Sequence, residues 1–191
     1  MALLFDNGFI RYAAKFLAAF CILYYGTIAI IGLATPGNQY IPFIDHYFAY
    51  YRWLSDSLLH GSKFLAKLLG YTVDIVPPNL LRIRDGKGVR LAYDCLGYGV
   101  MSFWIAFVFA NSSGLKTKLI WMLAGIAALW LINVIRITAF LIAHNHNWPM
   151  PLGLDHHTWF NIASYLLIFC LIYFYDKKNK HTSKINSQQI N

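Results

Sequence analysis

LIWMLAGIAALWLINVIRITAFLIA (residues 119–143) is an apolar run long enough to cross the roughly 30 Å hydrocarbon core of a bilayer as a single helix. Two of its residues do not belong in hydrocarbon, Asn133 and Arg136. A charge at the centre of a span costs on the order of 2.5–3.5 kcal/mol, so an intramembrane arginine marks a functional position by default. Asn133 lies one turn away on the same helix face. There it either orients Arg136 or hydrogen-bonds to a neighbouring helix.

Working outward, three more apolar runs accompany this one. Residues 16–34 follow Arg11 and Lys15 and exceed the ~7–15-residue core of a signal peptide, so they read as a retained helix. Residues 96–110 are short for a span but sufficient if it begins at Asp94, and residues 159–175 precede a polar tail. Composition agrees. Only 13% of the 191 residues are charged and 58% are hydrophobic, against about 25% and about 45–50% in soluble domains. So few charges cannot cover a water-soluble surface. The expected fold is an all-α integral membrane bundle of about four spans. Residues 1–176 form one membrane-embedded domain, and 177–191 a basic cytoplasmic tail with the composition of a disordered segment.

Residues 47–71 differ from the spans. Tyr47, Tyr51, Leu54, Leu58, Leu65, Leu68 and Leu69 recur at helical spacing, interrupted by Arg52, Asp56, His60, Lys63 and Lys67. These ionisable groups argue against a span and for an amphipathic helix lying in the interface. Beyond it, Asp85-Gly86 stands between two short runs that alternate apolar and polar residues, a strong hairpin signal. A short outer β-hairpin therefore leads directly into Cys95.

Lys116 and Lys118 occupy a short loop, Arg11 and Lys15 the N-terminal segment, and Lys177, Lys178, Lys180 and Lys184 the tail. Four spans place all three groups on the cytoplasmic side, as the positive-inside rule requires. The net charge of +8 is thereby explained by topology and lipid headgroups, and no nucleic-acid role is indicated. The same topology brings Cys95, Arg136 and the pair His156-His157 toward the outer face on three different helices. Arg136 lies about 10 Å below an outer edge taken at Ala143.

A thiol, a guanidinium and an imidazole at one level can perform acyl transfer through a thioester. A thiolate is a strong nucleophile favoured by a nearby cation or imidazole. Histidine moves the proton, and arginine stabilises the oxyanion or holds a carboxylate. Singly, each residue has a plainer reading: a small packed residue for Cys95, loop or headgroup contacts for the histidines. Cys21 and Cys170 fall inside apolar runs and read as core hydrophobes. Asp94 reads as an anion biasing the thiol or as a helix cap, Gly97 and Gly99 as points of close helix approach, and Trp53, Trp148 and Trp159 as interfacial anchors. His144 and His146 with His156-His157 offer a surface metal site, which no carboxylate or thiol pattern supports.

The order Leu91-Ala92-Tyr93-Asp94-Cys95-Leu96-Gly97, then Asn133-Val134-Ile135-Arg136-Ile137, then His157 with Asn161 and Tyr165, resembles the exosortase/archaeosortase family, in a short variant. The resemblance implies a membrane-embedded cysteine transpeptidase. It would cleave a C-terminal sorting signal of exported proteins at the outer face of the cell membrane and pass them to an anchor. Carried over, Cys95 is the nucleophile, Arg136 the oxyanion or substrate stabiliser and His157 the acid/base, supported by Asn133, His156 and Asn161. Leu96 stands where the family has Ser or Thr, and Asn161 where it has Gly. The implied chemistry uses no metal or cofactor, and its partners are exported proteins and membrane lipids. The competing expectations are a non-catalytic membrane scaffold or assembly factor and a histidine-ligated metal or haem protein.

Overall fold

The computed structural model describes residues 7–35, 37, 39–148 and 156–188, with only the backbone of 7, 156, 157, 160 and 179–188. Its elements are α1 (Asn7–Ala34), α2 (Pro42–Phe48), α3 (Tyr50–Leu68), β1 (Val73–Val76), β2 (Leu80–Ile83), β3 (Gly88–Arg90), a 3₁₀ turn (Tyr93–Leu96), α4 (Tyr98–Ala110), α5 (Leu115–Asn145) and α6 (His156–Gln188). Among the described residues, α1 and α5 are long and apolar enough to cross a membrane, and α4 is apolar but shorter. α6 continues as helix from its apolar half through the basic stretch expected to be an unstructured tail.

Successive long helices reverse direction. Phe16 and Phe20 of α1 pack edge-on against Phe103 of α4, while Tyr24, further along α1, meets Tyr98 at the start of α4. The Trp104 indole donates to the Trp121 carbonyl at 2.9 Å, and Asn133 donates to the Cys95 carbonyl at 3.0 Å, so α4 and α5 are antiparallel too. Gly125 makes this approach possible: a Cβ there would fall 1.9 Å from Trp104 Nε1. Tyr175 of α6 closes the same end of the bundle against Trp104, Phe107 and Trp121, its hydroxyl 2.8 Å from Ser113 Oγ.

α3 is amphipathic as its spacing predicts. Tyr51, Leu58, Leu59, Ser62 and Ala66 are buried, while Arg52, Asp56, His60 and Lys67 are exposed. Its direction differs from the expectation of a helix lying across the spans. Trp130 donates to Ser57 Oγ at 3.0 Å, Thr138 to the Ser62 carbonyl at 3.3 Å, and Tyr71 OH lies 2.9 Å from His146 Nε2. These contacts advance together, so α3 runs alongside the second half of α5 in the same sense. Gly61 allows it, because a Cβ there would come within 2.8 Å of Trp130. α2 has no buried residue; its Asp45 pairs with Arg52 and accepts from the Tyr40 hydroxyl at 2.9 Å, which raises that phenol above its ordinary range.

The expected hairpin forms as β2 and β3, with Asp85 at φ 61° in its turn. A strand not expected from the sequence, β1, pairs antiparallel with β2 in the register Val73↔Ile83, making a three-stranded sheet. Its inner face buries Val73, Leu81 and Ile83 with Leu91, Leu96 and Leu141 in one core. This caps the end of the bundle opposite Tyr175.

Candidate active site

The sheet sets the position of Cys95. Asn79 and Leu91 exchange two hydrogen bonds of 2.8 Å, which fix the chain as it leaves β3. Tyr93 then packs edge-on against the buried Tyr51 of α3. The chain coils once as the 3₁₀ turn and reverses at Gly97, whose φ of 77° suits glycine and strains other residues. Gly97 therefore serves a backbone conformation. Gly99 serves close approach, since a Cβ there would lie 3.3 Å from Tyr24. The helix cap expected of Asp94 is not made: Gly97 stands at the cap of α4, without a side-chain bond.

Cys95 is 8% exposed, so it is a buried residue of the turn and not the water-facing start of a span. Arg136 reaches it from α5. One guanidinium nitrogen donates to Cys95 Sγ at 3.4 Å, and the other donates to the Cys95 carbonyl and to Asn133 Oδ1, both at 3.4 Å. Asn133 is fully buried and donates its amide N–H to the Cys95 carbonyl at 3.0 Å. The sequence left two roles open for Asn133, orienting Arg136 or bonding between helices, and it performs both. The guanidinium thus sits against sulfur in a frame of fixed partners. Such a frame keeps a charge in place without reorganisation when negative charge develops beside it.

The third element is α6. His156 and His157 open this helix, and their side chains lie outside the described residues. Asn161, one turn on, is exposed and shares with Asp94, Gly97, Tyr98 and Tyr165 the wall of a 760 Å³ cavity. The N-terminal half of α6 therefore lies beside the Cys95 turn.

Other candidates separate from this cluster. His146 bonds Tyr71 and stacks on Trp148, while Asn145 accepts from the Lys87 backbone N–H at 3.1 Å, so this loop locks α5 to the sheet. Among the described residues, no three of His, Cys, Asp and Glu gather in a way that could hold a metal ion. Cys21 is partly buried, and Cys170 is exposed on α6 instead of serving the core. Trp53 and Trp148 are exposed, as interfacial anchors would be. No protein-family pattern matches this chain, and no curated protein and no solved structure matches it.

Proposed function

We propose that this chain is a membrane-embedded cysteine transpeptidase of the exosortase/archaeosortase kind, cleaving a C-terminal sorting signal from exported proteins. The observation that carries the reading is the Arg136 guanidinium on Cys95 Sγ at 3.4 Å, held by Asn133. Cysteine as a core residue needs no charge beside its sulfur; cysteine as a nucleophile does. In the proposed reaction the Cys95 sulfur attacks the scissile carbonyl and forms a thioester. Arg136 balances the negative charge on sulfur before attack and on the carbonyl oxygen after it. His157 transfers the proton to the leaving amine.

The antiparallel succession of α1, α4, α5 and α6 supports a four-span topology with both termini cytoplasmic. If Lys118 marks the inner boundary, about 30 Å of hydrocarbon takes α5 to roughly residue 138. Arg136 then stands within a turn of the outer boundary, shallower than an edge at Ala143 implies.

A scaffold reading has one observation in its favour: Arg136 and Asn133 both donate to the Cys95 carbonyl, as residues locking two helices together would. Alkylation of Cys95 in intact membranes by an impermeant thiol reagent across pH separates the two. The transpeptidase reading expects fast labelling at neutral pH, slowed in Arg136→Ala and in His157→Ala. Slow labelling that neither substitution alters selects the scaffold.

A further inference from the structure

Successive residues of a β-strand send their N–H and C=O groups to opposite sides, so an edge strand leaves every second residue unpaired. β3 is an edge of the sheet, whose order is β1-β2-β3. Its flanks fix which residues those are. Ile83 N–H donates to the Lys87 carbonyl at 3.1 Å, and Leu91 N–H to the Asn79 carbonyl at 2.8 Å. With Leu81 opposite Val89, the main chain of the odd-numbered residues turns to β2. That of Gly88 and Arg90 turns outward, where it meets no hydrogen-bond partner among the described residues. The other side of β2 agrees: Arg84 N–H donates to the Thr72 carbonyl at 2.9 Å, so the even-numbered residues of β2 serve β1. Gly88 and Val89 are partly buried and Arg90 is exposed.

Where this edge leads sets it apart. Ala92 stays extended, at φ −73° and ψ 157°, and the 3₁₀ turn that holds Cys95 follows at once. From Arg90 to Cys95 the path is at most about 13 Å, at about 3.3 Å per extended residue and about 2 Å per 3₁₀ residue. An extended peptide covers that in about four residues. The free edge of β1 lies two strands further off, about 10 Å from β3. We propose that the acyl-donor segment of the substrate binds as a fourth strand on β3, through main-chain hydrogen bonds to Gly88 and Arg90, and so delivers its scissile carbonyl to Cys95 in extended form. The proposal rests on the thioester reading above. Main-chain pairing recognises conformation and length first, and side chains only through the faces between which they alternate. A helical segment cannot pair in this way, because its N–H and C=O groups are already bonded within the helix.

The test uses p-nitrophenyl esters of two acetylated peptides, a dipeptide and a hexapeptide of alternating threonine and valine, with the same two residues at the reacting end. Cys95 displaces p-nitrophenolate from each, keeps the acyl group as a thioester and loses its thiol proton to buffer. Only the hexapeptide reaches Arg90 and Gly88. It is expected to acylate the full chain about tenfold faster, the scale of one or two net main-chain hydrogen bonds. Arg90→Pro removes the outward N–H at an edge position that tolerates proline and should lose the advantage; Arg90→Ala keeps the N–H and should retain it. Methylating alternate amide nitrogens of the hexapeptide removes the pairing from the substrate side and should reduce it to the rate of the dipeptide. Equal rates for the two esters overturn the proposal, as does an advantage that survives both Arg90→Pro and methylation. If neither ester acylates Cys95, the thioester reading fails, and hydrogen exchange on the Cys95→Ala chain still decides the edge. With the hexapeptide amide in excess, the Gly88 and Arg90 amides should exchange several-fold more slowly. Unchanged exchange there, or slowing confined to the Val73 and Ile75 amides of β1, overturns the proposal.

Discussion

Arg136 touches sulfur, a carbonyl and an amide oxygen together, and this geometry depends on a planar fork of donors. Lysine carries the same charge as a single point and cannot serve these sites at once. Arg136→Lys is therefore expected to label at Cys95 at a rate between wild type and Arg136→Ala. A rate equal to wild type would show that charge alone suffices. Asn133→Ala leaves the Cys95 carbonyl short of its best donor and the guanidinium short of an acceptor. It should lower stability by roughly 1–3 kcal/mol and slow labelling as well, read by thermal unfolding in detergent and by alkylation on the same samples. Gly97→Ala adds a Cβ at φ 77° and should cost about 1–2 kcal/mol, visible as a lower unfolding temperature. The Asn133–Arg136 pair was legible because polar residues in an apolar run stand out. The conformation of Gly97 was not legible, since a sequence shows that a glycine is present but not its φ.

At the scale of elements, the bundle depends on places where a side chain is missing. Gly125 admits the Trp104 ring, and Gly61 admits Trp130. Gly125→Val is expected to force α4 from α5 and destabilise by about 1–3 kcal/mol or more. Adding Trp104→Leu should restore part of the loss, because the smaller side chain vacates the space; no restoration would mean that the contact is not what limits stability. The hairpin was legible from Asp85-Gly86 because turn chemistry is local. β1 was not, because VDIV before Pro77-Pro78 is a short run whose strand identity comes from pairing with β2. The amphipathic character of α3 was likewise written in its spacing, but its direction along α5 was not. That direction comes from Ser57, Ser62 and Tyr71 meeting Trp130, Thr138 and His146, contacts between residues far apart in the chain.

For the whole molecule, the two ends of the bundle are chemically different. One carries Ser113, Lys118 and Tyr175; the other carries the sheet, Cys95 and Arg136. In a variant lacking native cysteines, Lys87→Cys is expected to label with an impermeant reagent in intact cells, and Ser113→Cys only after permeabilisation. The reverse pattern would invert the topology and place Cys95 on the cytoplasmic side. Sequence alone determined where the apolar runs lie, that they are long enough to cross a bilayer, and which polar residues inside them are out of place. Apolar length and the cost of a buried charge are properties of a segment, readable without its neighbours. Tertiary structure decided how these residues meet their neighbours: that Arg136 lies on sulfur, that Asn133 holds both partners, and that Asp94 lines a largely apolar cleft instead of capping a helix. These are meetings of separate helices, and no local pattern encodes the distance between side chains that only packing brings together.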